Sequence, residues 1–531
     1  MKLINKITIF FSTMYILWRF TTIPTNLGTL SIIFSCIFLF IEVIDYIELL
    51  IVYFNSITKS RANIYKKKNF DYADIDIIIP TINEPISIIK RTLDACKNIK
   101  YNFDKIHIFV SDDGNRNTVK KLVEEYNFTY LARKVHSGAK AGNINFALNH
   151  TKSDYILFLD CDMAPKANIL EKLMPYIVEN KNIGFVQAPQ SFVNADIFQS
   201  RFNLDNDIPN DQNYFYNVLQ NSNNSINSVI LCGTNVVIRR KALQDIGGFD
   251  EDIIAEDFAT GMLIQSKGYK GIYVNENVAE GYQEESLKGF IKQRSRWQRG
   301  CIRTGKKYHI ILKRGLTIKQ KMQYIVSINY WLQSIKIILF WIAPILYNIF
   351  HIYLINCKML MFLAFWIPQY VLKRFILDKN YYGMTSNTWN KIYQSICAPI
   401  FFINAIMELI GFKKKKFDVS AKKAENLDKK NVNFKKNNHK IELNFYSISL
   451  FLGHFIFLAL NFITYLYSLN NLSNNIFELM TLFWSSSNMF YLIISIIFDL
   501  SKNKNTHDIQ LRTNRYTYNH FAVFKVFKLL V

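Results

Sequence analysis

The sequence predicts an α/β domain set between membrane-spanning helices, and three observations predict it. Short runs rich in Ile and Val alternate with helical-looking stretches, which implies a parallel sheet with helices on its faces. Acidic pairs follow directly on two of those runs, at the strand ends where open α/β sheets bind ligands. Apolar runs of about 20 residues, the length that crosses a bilayer, concentrate towards the two ends of the chain.

Spans are expected at roughly 7–24 and 29–54, joined by a short uncharged connector. Lys2 and Lys6 precede the first span and no recognisable signal-cleavage site is present, so that span is read as retained. Lys59, Arg61, Lys66, Lys67 and Lys68 follow the second span, which places that side, and the N-terminus with it, in the cytoplasm. The domain itself is expected over 72–310, with strands at Ile75–Ile79, Ile106–Val110 and Tyr155–Leu159 and helices at 86–98, 116–126 and 139–149.

Residues 286–320 mix basic and apolar side chains and read as helices on the membrane surface. Further spans are expected at roughly 323–349, 351–372, 445–467 and 475–499. The apolar stretch 389–411 is decided by parity. The loop after it is dense in lysine from Lys413 to Lys436 and belongs in the cytoplasm, to which the preceding pair of spans already returns the chain. A crossing at 389–411 would export that loop, so this stretch is expected to lie in the interface. The expected division is 1–58, 72–310, 311–411, a cytoplasmic loop 412–440, 441–500 and a short basic tail 501–531. Within the tail, 521–531 reads as a membrane-surface helix.

The net charge of +23 follows from a Lys- and Asn-rich composition and from the basic loops beside apolar runs. Attraction to anionic lipid or to an acidic polymer is the other reading. Nucleic-acid binding is set aside because no recognition motif accompanies the charge. The seven cysteines are odd in number and contain no C-x-x-C pair, so no disulfide framework or zinc site is implied and a reducing compartment fits.

Chemistry concentrates in short motifs inside the α/β domain. Asp160 and Asp162 end a strand two residues apart, so alternation turns both carboxylates to one face. They can hold one Mg2+ or Mn2+ while a diphosphate fills the other positions; a structural turn is the plain alternative. Asp112 and Asp113 precede Gly114, a turn signature. With Thr81 and Glu84 in Pro80-Thr81-Ile82-Asn83-Glu84-Pro85 they suggest polar contacts to a base and ribose. Lys140 stands in a glycine-containing loop before a helix, either paired with phosphate or as a surface lysine.

Glu256-Asp257 is either a solvated helix start or the site of a general base, Asp257, that takes a proton from an attacking hydroxyl. In Gln293-Arg294-Ser295-Arg296-Trp297 the arginines are two apart and cannot share one helix face tightly. One is expected at phosphate, which suits the planar guanidinium, and the other at lipid headgroups or solvent. Trp297 offers a flat apolar face to a sugar ring; an interfacial anchor is the alternative.

Together these residues resemble the processive family-2 glycosyltransferases, and within them the bacterial cellulose synthase catalytic subunits, over roughly 75–440. Val186-Gln187-Ala188-Pro189-Gln190 and Cys232-Gly233-Thr234-Asn235 belong to the resemblance. So does Phe417-Asp418-Val419-Ser420-Ala421-Lys422, which is similar to the family's gating loop. The resemblance implies a Rossmann-like nucleotide-sugar transferase domain of the GT-A type with a cytoplasmic UDP-glucose site and Mg2+ or Mn2+. It implies single-displacement inversion at the anomeric carbon with Asp257 as base. A growing glucan would rest on Trp297 near Cys232, Gly233 and Thr234, and leave by a channel through the bilayer. Phe417, Val419, Ser420 and Lys422 would close over the substrate, with Gln293 and Glu256 in its binding shell.

The chain departs from the family at Ile82, at Ala255, at Ile230-Leu231 and at Ser420. The first and third leave the polymer and its linkage open, with curdlan-type β-1,3-glucan and hyaluronan- or chitin-type products as alternatives. A lipid-glycosylating enzyme and a non-catalytic pore or scaffold are further ones. Residues 500–531 are too few for a cyclic-di-GMP-binding barrel, so no such direct control is expected. An outer-side accessory subunit is not legible.

Overall fold

The computed structural model describes residues 2–57, 71–178, 180–204, 207–380, 386–412, 445–472, 476–501 and 522–527. Among these residues ten strands appear in chain order: β1 Ile75–Thr81, β2 Ile106–Asp112, β3 Thr129–Leu131, β4 Tyr155–Phe158, β5 Ala164–Pro165, β6 Ile183–Gln187, β7 Ser191–Phe192, β8 Val236–Arg239, β9 Lys270–Tyr273 and β10 Ala279–Gly281. Seven form the main sheet in the order β3-β2-β1-β4-β8-β6-β9, and β5-β10-β7 form a small second sheet. The expected helices stand at Ile86–Lys97, Asn117–Glu125 and Ala139–Leu148.

All seven residues of β1 are buried, as a strand covered on both faces requires. Alternation divides its apolar side chains. Ile75, Ile77 and Ile79 enter one core with Val110 and Leu157, and Ile78 enters the opposite one with Ile156 and Phe158.

The sheet is mixed, which corrects the parallel expectation: β8 runs antiparallel to both β4 and β6. The reason is local. Only short helical segments, such as Ile197–Phe202 and Gln220–Asn223, lie between β7 and β8 among the described residues. The chain instead turns through Gly233 and Asn235, with φ of 71° and 54°, at the carboxyl end of β4, and runs back.

Asp76, on β1, is buried. Its carboxylate accepts hydrogen bonds from Ser153 N (2.8 Å) and Ser153 Oγ (2.7 Å) and an ion pair from Arg240 Nη2 (2.7 Å). Removing one partner of a buried pair leaves an uncompensated charge. Arg240→Ala is therefore expected to destabilise the domain by about 3 kcal/mol or more, read as a lowered thermal transition of the purified protein.

Among the described residues, seven long helices surround the domain: Lys2–Thr21, Thr29–Ile57, Ile318–Phe350, Met359–Asn380, Asn387–Leu409, Phe445–Asn470 and Ile476–Leu500. Of the described residues, five stretches are long and apolar enough to cross a membrane: Thr29–Ile51, Ile318–Phe350, Asn387–Leu409, Phe445–Asn470 and Phe477–Leu500. The stretch that parity assigns to the interface is thus among them. Lys2–Thr21, also expected as a span, is not among them; Lys2, Lys6 and Arg19 lower its hydropathy. The expected span at 351–372 begins only at Met359, because His351 ends the preceding helix at a φ of 52°. The irregular segment that follows is held to the first helix hairpin, for example by Asn356 N on Thr22 O (2.8 Å).

The helix Leu287–Tyr308 joins the two parts. Gln298 Nε2 donates to Trp331 O (2.8 Å) and Phe401 O (3.0 Å), Asn404 Nδ2 donates to Ser295 Oγ (2.9 Å), and Arg303 Nε pairs with Glu408 at 2.6 Å. The short helix Ala522–Phe527 buries Ala522 and Val526 in a core shared with Trp389 and Phe498.

Candidate active site

Four loops at the carboxyl ends of the sheet meet at one cavity. After β1, the Glu84 carboxylate accepts from Thr81 Oγ1 (2.7 Å) and Ile82 N (2.8 Å), which fixes the loop. After β2, the two aspartates divide. Asp112 is fully buried and accepts from Gly114 N (2.9 Å), Arg116 N (2.9 Å) and the Arg116 guanidinium (2.9 Å). It organises the turn and lies outside the cavity lining, whereas Thr81, Glu84 and Asp113 line it. Asp113 is gripped by both guanidinium arms of Arg133, at 2.6 and 2.8 Å. Arg133 also donates to Ser137 O (2.5 Å) and Ala139 O (3.0 Å), which ties Asp113 to the loop that carries Lys140.

Lys140 opens the helix Ala139–Leu148 behind Gly138, whose φ is 68°. Its Nζ stands 2.6 Å from Asp160 Oδ1 and 3.3 Å from Gly233 O. About a third of each partner's side chain remains open, 34% for Lys140 and 32% for Asp160. The pair therefore faces the cavity. β4 stops at Phe158, so Asp160-Cys161-Asp162 is a turn beyond the strand. The predicted alternation persists nonetheless: Leu159 and Cys161 enter the core while Asp160 and Asp162 line the cavity. Thr92 Oγ1 on Cys161 O (2.7 Å) and Asp160 N on Thr234 Oγ1 (2.9 Å) hold the turn in place.

Gln187, at the end of β6, is fully buried. It accepts from Cys232 N (2.8 Å) and donates to Thr234 O (2.8 Å), and so latches the Cys232-Gly233-Thr234 turn. Glu256 and Asp257 start the helix Glu256–Ser266, and Asp257 Oδ1 accepts from Phe258 N (2.7 Å). Gly233 faces Asp257 so closely that a Cβ there would lie 3.0 Å from Asp257 Oδ2 and 3.4 Å from Lys140 Nζ, in a backbone region that disfavours side chains. Gly233→Ala is expected to displace Asp257 and to lower the turnover rate about tenfold or more, about 1.4 kcal/mol in the barrier, with the sheet core intact by circular dichroism.

Burial pushes the Asp257 and Glu256 carboxyls up from their ordinary range, against the pull of Lys140 and Arg296. Burial opposes the charge of Lys140, but Asp160, Glu256 and Asp257 outweigh it and hold the ammonium above its usual value. The site thus pairs one firmly charged cation with carboxylates that take protons readily.

The helix Leu287–Tyr308 closes the far wall. Gln293, Arg294, Arg296 and Trp297 line the cavity. The two arginines separate as helical spacing requires. Arg296 faces the acids, where it lowers the pKa of both Glu256 and Asp257. Arg294, expected at lipid headgroups or solvent if Arg296 takes the phosphate, is instead largely buried at the cavity wall and paired with Asp211 at 2.5 Å.

The cavity, of about 990 Å3, does not end at the acids. It continues between the long helices past Tyr330, Trp331, Trp341, Trp484 and Asn488. Ion pairs of Arg19 with Glu42 (3.0 Å) and Lys336 with Asp45 flank this passage. Charges are rare among membrane helices and mark pathways. Phe417, Val419, Ser420 and Lys422 lie outside the described residues.

Among the described residues no three His, Cys, Asp or Glu side chains form a ready metal centre. Asp160 and Asp162 offer two carboxylates and leave the remaining positions to water and phosphate oxygens, the balance that Mg2+ or Mn2+ takes with a phosphate substrate. The donor set fits such an ion. Arg133 and Asp211 carry no local signature that marks them as supports of the site. Gln187 lies inside the motif Val186-Gln187-Ala188-Pro189-Gln190 and is legible from it.

Residues 155–372 match the family model described as glycosyl transferase family group 2. The chain is 30% identical over 411 residues to the UDP-forming cellulose synthase 1 catalytic subunit of Komagataeibacter xylinus, over 77% of this chain and 55% of that protein. It is 28% identical over 352 residues to the UDP-forming cellulose synthase catalytic subunit of Pseudomonas fluorescens, over 66% of this chain and 48% of that protein. The chain thus spans about half the length of these relatives. Among solved structures it is similar to a mannosyltransferase from Pyrobaculum calidifontis in complex with GDP-Man and Mn2+. That likeness has a TM-score of 0.45 at 18% identity and covers 66% of this chain and 94% of that one.

Proposed function

We propose, on the premise that this chain carries a family-2 glycosyltransferase domain, that it is a membrane-embedded, processive, inverting enzyme. It would polymerise glucose from UDP-glucose into a β-glucan and pass the product through the bilayer. The observation that carries this reading is the single cavity that joins Asp160, Asp162 and Asp257 to an aromatic-lined passage between the long helices. An enzyme that released a small product into water would have no use for that continuity.

In this reading Asp113 and the loop of Thr81 and Glu84 hold the nucleoside, and Lys140 and Arg296 neutralise the diphosphate. Asp160 and Asp162 hold Mg2+ or Mn2+, which would stabilise the charge of the departing UDP. Asp257 accepts the proton of the acceptor hydroxyl as that oxygen attacks the anomeric carbon. The acceptor sugar rests on Trp297, with the Cys232-Gly233-Thr234 turn opposite. The domain sits on the cytoplasmic side, where the basic loops lie, and Phe417, Val419, Ser420 and Lys422 cover the site from the loop 412–440.

The test uses the full chain in lipid nanodiscs with radiolabelled UDP-glucose and Mg2+ or Mn2+. Labelled polymer that a β-1,4-glucanase digests is the expected result. Digestion only by a β-1,3-glucanase, or use of UDP-N-acetylglucosamine in place of UDP-glucose, would reassign the polymer. No turnover of any UDP-sugar would sink the enzyme reading in favour of a pore or scaffold.

A further inference from the structure

Trp297 does not stand alone on its helix. Phe290, Arg294 and Trp297 are spaced i, i+4 and i+7, which stacks them on one face of the helix Leu287–Tyr308. The Arg294 guanidinium carbon lies 4.3 Å from the Trp297 ring centroid and 5.1 Å from that of Phe290. A guanidinium at that distance is held to the indole by cation–π attraction. Trp297 is itself half-buried and lines the cavity.

The guanidinium is fixed from a distant part of the chain. Arg294 Nη2 donates to Asp211 Oδ2 at 2.5 Å, with only 8% and 13% of the two side chains exposed. Asp211 is placed in turn by its own backbone, whose N–H donates to Asp196 Oδ2 at 2.8 Å. Asp196 caps the helix Ile197–Phe202 with a full capping box. Asp211 Oδ1 and Arg294 Nε are buried without a hydrogen-bond partner among the described residues. One strong bond thus holds two desolvated charges beside the indole, where a stability role alone would favour apolar residues.

We infer that Asp211 and Arg294 are positioning residues that hold the Trp297 indole in a fixed plane as the platform for the acceptor sugar. The inference rests on the proposed polymer-forming activity and deepens it. One face of the ring is backed by the cation and the other is left to the sugar. The backing cation also draws on the π-cloud and fixes the ring's tilt, so the acceptor hydroxyl keeps its aim at Asp257 from one addition to the next. Donor binding, by contrast, is left to Arg296, Lys140 and the loops of the sheet, not to Arg294.

The experiment compares Asp211→Asn, Asp211→Glu and Arg294→Lys with the native full chain in nanodiscs. UDP release and sugar incorporation are measured separately. Trp297 fluorescence is followed on adding a β-1,4-linked glucose hexamer, with Trp297→Phe as the blank. Asp211→Asn and Arg294→Lys are expected to leave the KM for UDP-glucose within twofold, since lysine retains the charge but not the planar fork. Incorporation should fall about tenfold while UDP release falls less, and the fluorescence response should be lost. Asp211→Glu should restore part of both.

Incorporation and fluorescence unchanged in Asp211→Asn would overturn the inference. So would a rise in the UDP-glucose KM that matches the loss of incorporation, because Arg294 would then be a donor ligand. A parallel fall of every readout together with the thermal transition would make the pair structural only. If the native chain turns over no UDP-sugar and gives no hexamer response, the polymer reading fails; normal native turnover with unaffected variants fails this inference alone.

Discussion

Replacing Asp257 by asparagine is expected to reduce polymer synthesis by about 10²- to 10⁴-fold, the span a positioned general base contributes. The amide has the same shape and keeps the oxygen that accepts from Phe258 N, but it cannot take a proton. UDP binding, measured by calorimetry, should stay within a few-fold because Lys140, Asp160 and Arg296 are untouched. The native enzyme's pH dependence supplies a companion result. Burial raises the Asp257 and Glu256 carboxyls above the ordinary carboxylate range, so their protonated forms persist to higher pH. Only the deprotonated base is competent, so the rate at saturating donor should fall as pH drops through that raised value. A rate flat across the acidic range, or substantial synthesis by the Asn variant, would remove Asp257 from the role.

Withdrawal of divalent metal should be as severe. Chelation is expected to stop turnover, and added Mg2+ or Mn2+ to restore it. Asp162→Asn should raise the metal concentration needed for half-maximal rate at least about tenfold, since even outer-shell changes commonly cost that much. Asp162 is the better choice for the test. Asp160 also neutralises Lys140 at 2.6 Å, and its loss would unpair a cation as well as a metal ligand. Mn2+ binding followed by electron paramagnetic resonance separates the two effects. Unaltered Mn2+ affinity in Asp162→Asn would count against the assignment.

The secondary structure was readable because its signals are local. β1, β2 and β4 are apolar runs, the last two followed by acidic pairs, and each following helix carries its own period. The acids of the site were readable for the same reason: two or three residues carry the chemistry and neighbour one another in the chain. Long-range partnership was not. Nothing near Asp113 says that Arg133 will grip it, or that Asp112 beside it will turn into the wall. Nothing near Arg294 points 83 residues back to Asp211. The antiparallel course of β8 hung on the backbone of Gly233 and Asn235, which hydrophobic pattern does not encode. The expectation that 389–411 lies in the interface rests on counting basic loops, while its composition alone is that of a stretch able to cross a membrane.

The helix Leu287–Tyr308 carries the arginines and tryptophan of the site on one side and takes its anchors from Trp331, Phe401, Asn404 and Glu408 on the other. The edge of the domain in sequence is therefore not an edge in packing. A portion cut at 310 would keep its sheet and lose the bed on which the acceptor wall is laid. For this architecture, exchange of parts between relatives has to move that helix and its membrane neighbours as one inherited block. A transferase domain grafted onto foreign spans would bring its acids with it and leave its tryptophan behind.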